Sequence, residues 1–214
     1  MADNYLEKKF EEYRSGKGAA PKHKAAAAKP GLDSLLLRNR SFRGYDPSYV
    51  VSREELLKMV EVCTKVPSAK NGQVLRYKPV YGEDTPRVQK YTKWAGALPE
   101  LNLPFPGTEP SAFIIICSTV PENKWVDIDL GIASQSILLK AVEMGLNGIC
   151  IGAFNKAEIM REFNLELEPI LLLAIGKGAE HIQLTRISDA DSRNYYRKDG
   201  VHFVPKLGLD EIVI

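Results

Sequence analysis

Ala112-Phe113-Ile114-Ile115-Ile116-Cys117 is apolar at every position and rich in β-branched residues. Such a run reads as a strand covered on both faces. Working outward, Ile170 to Ile175, entered from Pro169, gives a second strand of the same kind, and Arg76 to Tyr81 gives a third. Between the apolar strands, Asp129 to Met144 predicts the longest helix, closed by Gly145. Leu130, Ile132, Ala133, Ile137, Leu138, Leu139, Ala141 and Val142 make it apolar on more than one side, which implies burial in the core or at a subunit interface. At 214 residues, with no internal repeat, the chain reads as one α/β or α+β domain.

The remaining elements follow from caps and breakers. Asp33 can cap a short helix through Leu35-Leu36-Leu37 that delivers Arg40 and Arg43 at its C-terminal end. Ser52-Arg53-Glu54-Glu55 is a capping box, after which Leu56, Met59, Val60 and Cys63 form one apolar face, and Pro67 stops the helix. Val88, Tyr91 and Trp94 suggest another helix, and Asn155 with Glu158 caps one whose Ile159 and Phe163 point inward. From Leu98 to Gly107 the chain is Pro-rich and irregular, a mouth or lid rather than a helix interior. At the start, Leu6, Phe10 and Tyr13 fall on one face of a charged helix that needs a partner surface, and the Lys22 to Lys29 cluster ends at Pro30-Gly31 as a solvated linker. Residues 1–30 therefore read as an arm and linker, and 31–214 as the domain.

Several function classes are set aside by composition. With 29 Lys+Arg against 27 Asp+Glu, no nucleic-acid-binding field is indicated. No apolar signal core or span of membrane length occurs, and Cys63, Cys117 and Cys150 are scattered through apolar stretches, so a cytoplasmic, reducing location is the expectation. Metal ligands are dispersed, no Gly-x-Ser-x-Gly elbow is present, and Gly145-x-x-Gly148-x-x-x-Gly152 lacks dinucleotide-fingerprint spacing. Gly152 fits either a close backbone approach to a ligand or a tight turn.

Two runs carry candidate chemistry. Arg40-Ser41-Phe42-Arg43 sets two guanidinium forks and a hydroxyl within four residues, equipment for a phosphate dianion, although such a run by itself also suits an exposed helix end. Pro67-Ser68-Ala69-Lys70-Asn71-Gly72-Gln73 packs amides into a turn. Asn71 and Gln73 offer both donors and acceptors, as the edge of a heterocycle requires, while an ordinary turn has local backbone reasons for the same residue types.

The order and spacing of these runs resemble the FMN-dependent nitroreductase family, with its Arg-Ser-x-Arg-like run and later Pro-Ser-x-x-Asn-x-Gln loop. Asp127 to Gln135 resembles the opening of the family's central helix, Gly145 to Phe154 the stretch whose amides face the flavin, Leu171 to Lys177 its late strand, and Tyr195 to Lys206 the C-terminal segment of one bacterial branch. The likeness runs from about Leu35 to the end. It implies an α+β fold: a central mixed or antiparallel sheet flanked by helices, with a long central helix at a dimer interface.

It also implies a site. Arg40, Ser41 and Lys206 would hold the FMN phosphate, Arg43 would lie near N1 and O2 of the ring, and Asn71 and Gln73 would meet the ring or ribityl chain. The loop from Pro67 and Ser68 to Asn71 would come from the neighbouring subunit, Gln135 would lie on the helix beside the cofactor, and Gly152 and Ala153 would offer backbone donors. No side chain is required as a catalyst, since the flavin carries the electrons. The implied activity passes electrons from NAD(P)H to an electron-poor small molecule of nitroaromatic, quinone or flavin type by ping-pong turnover in a homodimer. A flavin-binding sensor or carrier, and a structural dimer with a decayed pocket, are the alternatives from other classes. This chain departs from the family pattern at Asn39, at Val74-Leu75 and at Leu207.

Overall fold

The computed structural model describes residues 30–94, 96 and 101–214. The expected N-terminal arm and the start of the Pro-rich loop lie outside them. Strand β2 (Ala112–Ser118) is buried at every position, and its neighbours explain why. It pairs antiparallel with β1 (Leu75–Tyr81) on one side and with β4 (Glu168–Gly176) on the other, and β4 in turn carries β3 (Asn147–Ile151). The sheet order is therefore β1-β2-β4-β3, antiparallel throughout. Pro79 is tolerated because β1 is an edge strand.

Both faces of this sheet are covered, which is what the unbroken apolar run demands. Ile114, Ile116, Leu173 and Ile175 point into one core with Leu56 and Met59 of helix α2 (Arg53–Val60) and with Ala133, Ile137 and Ala141 of helix α4 (Lys124–Glu143). Phe113, Ile115, Leu172 and Ala174 point into a second core with Val88 of helix α3 (Thr85–Gln89) and Ile159 of helix α5 (Lys156–Phe163). Fully burying one such side chain stabilises by roughly 1.5–3 kcal/mol.

Helix ends obey the local signals. Ser52 and Glu55 make the reciprocal capping box, and Asn155 Oδ1 accepts from the Glu158 N–H. Past Val60, α2 tightens into a 3-10 turn over Glu61–Thr64, so it ends before Pro67 is reached. Helix α4 begins at an Asn123 cap, earlier than the expected Asp129; the Oδ1 of Asn123 accepts from Trp125 and Val126 N–H. It ends as expected, with Gly145 at φ +80°. Helix α3 stops at Gln89, leaving Tyr91 and Trp94 beyond it but still packed on the second core, while Thr92 bridges to Phe154. Helix α1 (Leu32–Arg38) holds Asp33 in its first turn and packs on α4.

A second sheet follows. Strands β5 (His181–Ile187) and β7 (Val201–Leu207) run parallel, and β6 (Tyr196–Lys198) joins β7 antiparallel, in the order β5-β7-β6. The mixed pairing of the molecule is here and not in the central sheet. The chain ends in a short helix α6 (Leu209–Ile212). Among the described residues no helix is long and apolar enough to cross a membrane.

Candidate functional site

The basic run leaves α1 and is laid along the edge of the central sheet. Ser41 forms a parallel bridge with Gly148, and the Phe42 N–H donates to the Gly148 carbonyl at 3.3 Å. Glycine is required at 148, because a Cβ there would stand 2.5 Å from the Ala174 carbonyl oxygen. Asn39 Nδ2 donates to Gln135 Oε1 at 3.2 Å, which brings the α4 glutamine alongside the run. Arg40 donates to the Leu36 carbonyl, while its Nε is buried and has no partner among the described residues. Burial also lowers the pKa of this guanidinium from its ordinary value. Arg40 lines a cleft of about 370 Å³ with Leu37, Phe42, Leu146 and Asn147.

The amide loop is held elsewhere on α4. The Ala69 N–H donates to the buried Asp129 carboxylate at 2.8 Å, and Gln73 Nε2 donates to Asn71 Oδ1 at 3.1 Å. Lys70, Asn71 and Gln73 take left-handed φ values of 52°, 54° and 48°. That region is uncommon for residues with a Cβ and recurs at ligand-binding loops. Pro67, Ser68 and Gln73 line a cavity of about 190 Å³ with Arg76, Tyr77 and Asp129. Burial and a hydrogen bond to Cys63 push the Tyr77 phenol well above its ordinary range.

Asp129 and Gln135 stand six positions apart on α4, roughly 9 Å along the axis and about 120° around it. The two motifs therefore approach different faces of one helix, and their cavities share no lining residue. Gly152 and Ala153 follow β3. Nothing lies within 4 Å of where a Gly152 Cβ would stand, and its φ is not left-handed, so neither crowding by this chain nor turn strain requires that glycine. Ala153 lines a cleft of about 730 Å³ with Lys93, Tyr91 and Phe154, and its carbonyl accepts from the Lys93 N–H at 2.8 Å. Lys206 lies exposed on β7 opposite Arg186 and lines none of these cavities.

Arg43 turns inward. Its Nη1 donates to the Ser41 carbonyl at 3.1 Å and lies 3.4 Å from His202 Nε2, and its guanidinium stacks 4.7 Å from the Tyr195 ring centre. Glu180 accepts from the Arg43 N–H and from the Arg197 guanidinium. Burial, aided by Arg43 and Arg197, pushes His202 down to about 4, so its imidazole is neutral at pH 7. The basic run singles out Arg43 in the sequence. Glu180 and Arg197 were missed as partners, since Glu180 meets Arg43 across 137 positions with no local pattern to announce the pair.

Comparisons with known proteins agree with this architecture. The Bacillus subtilis (strain 168) protein YdgI, whose name places it with the NAD(P)H nitroreductases, is 23% identical over 190 residues, covering 68% of this chain and 88% of its own. A variant of the FMN- and NADPH-dependent nitroreductase NfnB from Sphigopyxis sp. strain HMH superimposes with TM-score 0.65 at 20% identity, covering 86% of this chain and 98% of that one. A nitroreductase-type protein of Exiguobacterium sibiricum 255-15, solved in complex with FMN, gives TM-score 0.57 at 21% identity over 71% of this chain and 90% of that one. At these identities the structural likenesses carry the fold. The sequence model of the nitroreductase family matches residues 36–177, about two thirds of the chain, and the protein belongs to that family.

Proposed function

We propose that the protein is an FMN-dependent oxidoreductase that passes electrons from NAD(P)H to an electron-poor small molecule, of nitroaromatic, quinone or flavin type, in ping-pong turnover. Family membership supports the reaction class. The observation that carries the cofactor assignment is the basic run pinned to Gly148, with the buried Nε of Arg40 left unpartnered. A buried guanidinium donor without an acceptor is costly, and a phosphate oxygen would remove that cost.

The residues present fit FMN. Arg40 and Ser41, with Lys206, would hold the phosphate; Asn71 and Gln73, already turned into left-handed geometry, would meet the ring or ribityl chain; Gly152 and Ala153 would offer backbone donors to the ring, with open space around Gly152 for its approach. When bound, FMN supplies the two-electron chemistry, taking hydride from the donor and passing electrons to the acceptor. The protein's own part is to bind, orient and keep one ring face open to alternating partners.

Since one chain sets the basic run and the amide loop on different faces of α4, we propose a homodimer in which the loop from Pro67 to Asn71 of each copy completes the site of the other. Trp125 and Ile128 of α4 and Leu37 of α1, exposed in the single chain, are apolar surface that such an interface would cover. We place the site in residues 31–214 and locate the protein in the cytoplasm. Heat release of the cofactor from purified yellow protein, followed by chromatography, is expected to yield FMN. NAD(P)H should bleach the protein, and quinone or nitroaromatic should restore the colour. Recovered FAD would refute the cofactor. Bleaching too slow for turnover would leave a flavin carrier instead.

A further inference from the structure

The cluster around Arg43 gathers several buried polar atoms that lack partners. Arg43 and His202 are only 8% and 3% exposed. Three buried polar atoms in it, Arg43 Nε, Arg197 Nε and His202 Nδ1, have no hydrogen-bond partner among the described residues. Buried polar groups in folded proteins are paired nearly without exception, and leaving one orphaned is costly. All three side chains line a single cavity of about 200 Å³, together with Gly44, Phe105, Thr108 and Glu180.

Glu180 does not satisfy them. Its two carboxylate oxygens are engaged by the Arg43 backbone N–H and the Arg197 guanidinium. With His202 neutral, two guanidiniums face one carboxylate, which leaves one positive charge in excess. The guanidinium faces are covered by aromatic rings, Arg43 by Tyr195 at 4.7 Å and Arg197 by Phe105 at 5.8 Å, so each is free to bond only along its edge. Edge-on guanidinium donors match the oxygens of a planar or tetrahedral oxyanion.

We propose that the cavity formed by Arg43, Arg197 and His202 binds a small oxyanion, a carboxylate or a phosphate-sized group, independently of the phosphate of FMN. The excess charge would be neutralised and the Nε donors paired. His202 can either donate through Nδ1 to the anion or take up a proton when it arrives. The oxyanion would also tie β6 and β7, which carry Arg197 and His202, to the basic run through Arg43. The cavity shares Arg43 with the flavin-ring position that the family resemblance implies, whereas Arg40, Ser41 and Lys206, the residues assigned to the FMN phosphate, lie outside it.

The test is titration of the full-length protein, flavin included as purified, with inorganic phosphate at constant ionic strength, read by the melting temperature and by the phosphate ³¹P line. Acetate forms a parallel arm that separates carboxylate from phosphate preference. Saturable binding is expected for at least one probe, with a rise in melting temperature. Arg197→Gln and His202→Gln should each weaken it at least tenfold, and Lys206→Gln should leave it unchanged. If Arg197→Gln fails to fold, His202→Gln carries the comparison. Absence of saturable binding by either probe, binding untouched by the cavity variants, or binding lost in Lys206→Gln or accompanied by FMN release would overturn the proposal.

Discussion

The four-stranded and three-stranded sheets of this molecule are built from opposite materials. In the central sheet, β2 buries seven consecutive residues, and both of its faces meet helices through apolar side chains. In the second sheet most positions of β5 and β7 are only partly buried or exposed, exposed Lys206 and Arg186 sit opposite one another, and the most buried residue of β7 is a histidine. Apolar burial is non-directional and scales with area, so the first sheet can serve as a scaffold insensitive to pH and salt. Charged groups held out of water respond to both, so the second sheet is where ligand or proton binding can be sensed.

Truncation of the scaffold should have the largest effect. Leu172→Ala removes a fully buried side chain of β4 from the second core, and the expected loss is about 2–5 kcal/mol of unfolding free energy, measured by urea denaturation. A loss under 1 kcal/mol would mean that this core can collapse around the deletion, which would weaken the contrast between the sheets.

A smaller effect, confined to the second sheet, comes from pH. His202 has a folded-state value of about 4, below its ordinary 6.5. The unfolded chain therefore binds more protons between these values, and the neutral imidazole's contribution, complete above pH 6.5, is lost as the pH falls toward 4. By pH 5 the loss should be about 1–2 kcal/mol. Comparing wild type with His202→Gln at pH 7 and pH 5, in buffer free of phosphate and carboxylate, isolates it from the carboxylates, which titrate in both proteins. Equal losses in the two would show that His202 is not held neutral by its surroundings.

The same contrast explains what the sequence made legible. Unbroken apolar runs and strong caps were readable because the physics is local: β2, β4, the Ser52 capping box, the Asn155 cap and the Gly145 stop all appear where expected. The long helix was placed five residues late, since Lys124 to Ile128 shows little apolar periodicity and the deciding cap is Asn123. The second sheet left almost no trace. Its β5–β7 pairing joins segments twenty positions apart in parallel register, and the apolar residues of β5 are interspersed with polar ones. Within the candidate site, residue types and order were visible in the two motifs. What no sequence pattern announces is that Arg43 turns toward Glu180 and His202, or that Asp129 anchors the amide loop 60 positions away.

The central functional claim is that neither chain alone holds a complete flavin site. Light scattering coupled to flavin absorbance tests it most directly, with mass and cofactor read on the same eluting species. The account predicts one peak at twice the 23.8 kDa chain mass, carrying one FMN per chain. A monomer that retains FMN at this stoichiometry would contradict it.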